Sequence, residues 1–230
     1  MRRVRRVTPT GGVAALIEDA AGGDVPVDQL LRRLKVVATR AGLPELETWV
    51  QNELSGYNDS NDLPAYRGPF AAHVLGYFSG PFQSSAQNVP IASVAFPEEL
   101  RHGRLFEVRF LDSVAELESL QSAGTELRIP WPADALMLCQ SLVQRGKVDF
   151  NGHILQEAHQ VVSRSTVVGI LRTVQDRILT LALRLEQENP DLGGAGAPTA
   201  SSAVAQDVHI IVNGGHTNIA GDWSGPSFTG

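Results

Sequence analysis

The sequence predicts an α+β protein: a mainly helical domain with a small β element, followed by a flexible linker and a short C-terminal β tail. Three observations carry that expectation. Leu171, Val174, Ile178, Leu181 and Leu185 step by 3, 4, 3 and 4, the spacing of an apolar helix seam. A β-prone run at His73–Phe78 is closed by Gly80-Pro81. From Gly193 to Ala203 the chain carries no charge and no large side chain, and a β-branched run follows at Asp207–Val212.

The elements follow in order. Residues 13–21 read as a short helix ended by Gly22-Gly23. Asp28 can cap a second helix with apolar positions Leu30, Leu31, Leu34, Val37, Ala38 and Ala41. Gly42 supplies its left-handed end. Pro44 suits the first position of a third helix running to Leu54, with Glu45 and Glu47 in the first turn where the helix dipole favours acids. Residues 57–69 form a polar loop. Residues 83–96 read as a second extended region, Pro97–Leu100 as a helical turn, Leu105–Phe110 as a strand, and Ser113–Ala123 as a helix. Glu126–Ile129 is extended, and Pro130-Trp131-Pro132 feeds a helix over Ala133–Gln144. Ile154–Val162 leans towards strand with a helical alternative. The longest helix starts at Ser163 or Ser165 and stops at Asn189-Pro190.

Domain limits follow from these shifts: a basic arm at 1–12, a globular domain at 13–192, a flexible linker at 193–206 and a glycine-rich β tail at 207–230. In the tail, Asn213-Gly214-Gly215 turns the first strand and His216–Ala220 returns. A lone hairpin is marginal in water. Val208, Ile210, Val212, Asn213, Gly214, Asn218, Ile219 and Trp223 are therefore expected to pair with a partner surface.

Composition narrows the function. The chain has 230 residues, 43% hydrophobic and 19% charged, enough apolar material for a sizeable core. Net charge is −6, and without the four arginines of Met1–Arg6 the balance is 15 basic against 25 acidic residues. Such a body is a poor nucleic-acid surface. The arm itself could touch phosphates or anionic lipid, or be a frayed terminus or a misplaced start. No stretch of 18 apolar residues and no secretory signal is present, so no membrane span and a cytoplasmic location are expected. Cys139 is the single cysteine and lies in an apolar run, which favours a buried thiol over a nucleophile.

No nucleophile elbow, P-loop, dinucleotide fingerprint or His-Glu-x-x-His occurs. Asp59–Asp62 lacks the later residues of a calcium loop and reads as a solvated turn. His153, Glu157 and His159 would share one face of a strand, but without a further ligand they read as surface polar residues. No metal, cofactor or catalytic residue is expected. The polar candidates are Glu53, Tyr57, Tyr66, Arg67, Arg172 and Arg177. If the Trp49 helix packs on the long helix, they form either a pocket for a nucleotide or phosphate-bearing ligand or a buried ion-pair network. Trp49 and Trp131 read as core.

One order of segments is informative. Leu30–Arg40 precedes Trp49-Val50-Gln51-Asn52-Glu53-Leu54-Ser55-Gly56-Tyr57, then Leu63-Pro64-Ala65-Tyr66-Arg67 and, far downstream, Ser165–Leu179. Over residues 13–191 this resembles the AbiTii domain, a bacterial family associated with abortive infection. The resemblance implies a role in defence against phage and supplies no catalytic residues. Gly215-His216-Thr217-Asn218-Ile219-Ala220-Gly221-Asp222 is similar to endings of bacterial signalling and conflict proteins. The expectation is a non-enzymatic interaction protein that forms homo-oligomers and meets a phage or host protein. A ligand-gated sensor or effector enzyme using the Tyr/Arg region is the alternative.

Overall fold

The computed structural model describes residues 12–59, 62–122, 126–194 and 196–213. Seven helices are α1 (Gly12–Gly22), α2 (Val27–Ala41), α3 (Pro44–Ser55), α4 (Val114–Ser122), α5 (Ala133–Gln144), α6 (Arg164–Glu188) and α7 (Ser202–Asn213). Strands β1 (Phe70–Ala71) and β4 (Glu107–Val108) form an antiparallel pair. Strands β2 (His73–Ser79), β3 (Ser85–Ile91), β5 (Glu126–Pro130) and β6 (Ile154–Ser163) form an antiparallel sheet in the order β3-β2-β6-β5. The α+β expectation is met.

Two cores result. The larger is helical: α6 runs through it, with Leu171, Val174, Ile178, Leu181 and Leu185 all buried against α1, α2, α3, α4 and α7. The smaller lies under one face of the sheet, where α5 covers Val74, Phe78, Leu155 and Ala158. Trp131 closes it, edge-on to Phe96 and Phe106, with its Nε1–H donated to the Leu105 carbonyl at 3.1 Å. Trp49 and Trp131 are both buried, as expected of core side chains.

Local chemistry sets the ends. Ser163 caps α6, its hydroxyl accepting from Ser165 N–H. Gly42 closes α2 at φ 68°, a left-handed conformation that glycine takes without penalty. Asp28 does not cap α2. The helix begins one residue earlier, and the Val27 N–H is taken by Glu118 Oε1 of α4 at 2.7 Å. A cap from a distant element leaves no local signal. The strand expected over Leu105–Phe110 is shorter: its ladder with β1 covers Glu107–Val108, and Phe106 and Phe110 add single main-chain bonds to Ala72 and Arg67.

The C-terminal strand is corrected. Val208, Ile210, Val212 and Asn213 lie in α7, not in a β hairpin. Val204, Val208 and Val212 repeat every fourth residue and bury one face in the helical core. Burial on that face overrides the β preference of the valine-isoleucine run. Nor does the core end at Leu192. The stretch expected as linker is fastened along α2: Arg40 donates to the Gly193 carbonyl at 3.0 Å, and Ala200 N–H to the Ala41 carbonyl at 2.9 Å. Gly214, Asn218, Ile219 and Trp223, like the basic arm, lie outside the described residues.

The grouping of His153, Glu157 and His159 is also corrected. A bulge at the Tyr77/Phe78 step shifts the phase of β6. Leu155 is buried on one side of it and Ala158, Gln160 and Val162 on the other. His153 therefore shares the face of Leu155, while Glu157 and His159 point away. Among the described residues no group of three metal-ligating side chains converges. No helix among them is long and apolar enough to cross a membrane.

Candidate functional site

Four of the six polar candidates meet in one cluster. Trp49, Glu53 and Tyr57 are spaced by four, which lines up Trp49 and Glu53 on α3 and continues past its end. Tyr57 follows Gly56, whose φ of 83° turns the chain. A Cβ at Gly56 would lie 2.8 Å from the Leu111 carbonyl, so glycine is required there. Tyr66 and Arg67 come from a single 3-10 turn at Ala65–Arg67. Gly68 behind it has φ 124° and no room for a Cβ, which would meet the Val108 carbonyl at 2.7 Å. The Trp-Val-x-Asn-Glu-Leu-x-Gly-Tyr and Leu-Pro-x-Tyr-Arg strings are thus two halves of one device.

Glu53 and Arg67 are completely buried and paired twice: Nη2 to Oε2 at 2.6 Å and Nε to Oε1 at 3.3 Å. Glu53 Oε1 also accepts from the Tyr57 hydroxyl at 2.7 Å and the Tyr66 hydroxyl at 2.5 Å. The Tyr66 oxygen accepts in turn from Trp49 Nε1–H at 3.0 Å. Arg67 Nη1 donates to the carbonyls of Phe110 at 3.0 Å and Asp112 at 2.6 Å. Its guanidinium lies 5.0 Å from the Tyr57 ring centre. Among the described residues no buried side-chain N or O lacks a partner.

The electrostatics follow from burial. Burial first, then the Glu53 charge, raises the pKa of both phenols above the ordinary tyrosine range. Burial alone would lower the Arg67 pKa, but the Glu53 carboxylate and its hydrogen bonds outweigh that, and the net direction is up. The guanidinium stays charged and the phenols stay neutral donors. Arg67 engages every nitrogen with protein groups and is shut from solvent, so it offers no edge to a phosphate.

Of the two remaining arginines, Arg177 packs on the edge of the cluster and Arg172 lies outside it. Arg177 of α6 lies over the Tyr66 ring at 4.4 Å and donates through Nη1 to the Ile211 and Val212 carbonyls at 2.6 and 3.0 Å. It caps the end of α7, where unpaired carbonyls and the helix dipole favour a cation. Arg172 is exposed and outside the cluster. Sequence reasoning missed the partners of Arg67 at Phe110 and Asp112, because main-chain carbonyls carry no residue signature.

An open cleft of about 720 Å³ adjoins the cluster between α3, residues 62–65 and the end of α7. Trp49 and Tyr57 form part of its floor, and Glu45, Asp62, Asn52 and Asn213 part of its rim. No lysine or arginine lines it among the described residues. Glu45 is already bridged to His209 of α7, Oε2 to Nδ1 at 2.8 Å. A cleft with two carboxylates and no cation repels an anionic ligand. Cys139 is buried, and burial pushes its thiol up to about 11, so it is protonated at neutral pH and a poor nucleophile.

Fold and cluster together define an α+β domain whose polar centre is a closed ion-pair network holding helix ends and loops in register. A family model matches residues 13–211, and the chain belongs to the AbiTii family. Membership suggests a part in bacterial abortive infection, the defence against phage. No curated protein and no solved structure matches it.

Proposed function

We propose that this AbiTii chain serves anti-phage defence in the cytoplasm as a non-enzymatic interaction protein. It self-associates or binds a phage or host protein through its C-terminal segment. The observation supporting this reading is the closed Glu53–Arg67–Tyr57–Tyr66 network. The polar residues of the cluster are turned inward and hold the fold. The neighbouring acidic cleft does not favour a nucleotide. What the chain offers the cell is then its surface and its C-terminal residues.

The helical α7 changes where that segment starts. Val204, Val208 and Val212 belong to the core, so the associating part begins after Asn213. Ile219, Trp223 and Phe228 are its large apolar side chains. Light scattering on the full chain and on a chain ended at Asn213 tests this. The full chain should show a larger mass than the shortened one, or capture a partner that the shortened one does not. Equal monomeric mass and equal capture would defeat the proposal. A cut at 192 would be uninformative, since it removes α7 from the core.

A further inference from the structure

The turn joining β2 to β3 holds Phe82 fully exposed. Its backbone is left-handed, φ 57° and ψ 36°, and Gln83 follows at φ 60°. Bulky residues avoid this region, and such strain is characteristic of functional positions. Three contacts maintain it. Gly80 N–H donates to the Ser84 carbonyl at 2.8 Å, and Ser84 N–H and Oγ both donate to the Pro81 carbonyl, at 3.1 and 2.8 Å. The turn thus presents an aromatic ring to solvent on a fixed mount.

A receptor for such a ring lies beside it. Between α5 and the start of β6 is a cleft of about 300 Å³ lined by Cys139, Val143, Phe150 and Leu155. A cavity of roughly 150 Å³ suffices for a benzene ring. His153 also lines the cleft, and its ring packs on Gly80, where a Cβ would be 2.6 Å from it. Exposed Ile154 sits at the same rim, paired with Ser79. Projection and cleft are therefore neighbours on one end of the sheet.

The projecting half of the patch is poor in charge, while Arg145, Lys147 and Asp149 belong to the connection beside the cleft. From Gly68 to Pro97 the chain contains no Asp, Glu, Lys or Arg, although 19% of the whole is charged. Depletion of charge around aromatic anchors marks the centre of protein interfaces. Strand addition is disfavoured at both sheet edges, because β3 carries Pro90 and a left-handed Asn88, and β5 ends in Pro130. Side chains, not strand edges, must make the contact.

We propose that this end of the sheet is a self-association surface, on which Phe82 of one copy seats in the α5–β6 cleft of a second copy, and reciprocally. A patch carrying both a projection and its receptor is self-complementary, the requirement of a two-fold interface. This surface uses residues 79–155 and does not require residues 214–230.

Sedimentation of the full chain and of Phe82→Ser tests the proposal, with circular dichroism to check folding. The wild-type chain should associate, and Phe82→Ser should weaken association by at least about tenfold. Mixing full-length Phe82→Cys with full-length Gln144→Cys, at the cleft rim, should give a covalent 82–144 dimer on mild oxidation. A monomeric wild-type chain, unchanged association in Phe82→Ser, or no 82–144 cross-link would each overturn it. Loss of association only when residues 214–230 are removed would support the C-terminal reading and overturn this one.

Discussion

Arg67 shows why a buried charge is a poor guide to a ligand site. Its guanidinium is worth keeping only while Glu53 faces it. Removing one partner leaves the other charged and dry, which costs about 3–5 kcal/mol. Arg67→Ala is therefore expected to lower the unfolding free energy by about that amount in denaturant titration. The phenols supply a second test. Tyr57 and Tyr66 have folded pKa values above the unfolded value of about 10. Their contribution to stability is fully present below that pH and is lost as pH rises towards the folded values. Absorbance near the phenolate band should show these two of the three tyrosines ionising only as the protein unfolds in alkali. Early ionisation of all three in the folded state would contradict the burial argument.

Among the elements, α7 carries the most revealing contrast. Val208 is buried, and Val208→Ala should cost about 2 kcal/mol through lost transfer and cavity energy. Ile210 on the same helix is exposed, and Ile210→Ala should stay within about 0.5 kcal/mol. A strand would have placed both residues on one face. Arg177→Gln should cost about 1–2 kcal/mol by uncapping α7, measured by thermal or chemical unfolding. The same helix marks the limit of sequence reading. The α6 seam and the Gly42 and Pro44 signals were legible because each is local. For α7, the glycine-rich approach and the β-branched run pointed to a strand. The i, i+4, i+8 valines settle it only once a core exists to receive them. The grouping of Glu53, Tyr57, Tyr66 and Arg67 was legible only within a wider set that included Arg172 and Arg177, through the expectation that α3 packs on α6. Its closure was not, since Phe110 and Asp112 contribute main-chain oxygens from far along the chain.

The whole molecule places two cores side by side with different duties. The helical core takes in both α3 and α7, so the polar network and Asn213 are anchored to the same core. The sheet core leaves an end with an exposed aromatic at Phe82. The family points to defence. The central claim is that the Glu53–Arg67 pair holds the fold and takes no other part. A double variant, Glu53→Gln with Arg67→Met, removes both charges together and so leaves neither buried and unpaired, although the Phe110 and Asp112 carbonyls lose their donor and some stability is lost. Phage protection by this variant, with its unfolding free energy measured alongside, is the most direct test. Protection equal to wild type in a folded double variant is the expected result. A folded double variant that no longer protects would contradict the account and return the cluster to a direct role.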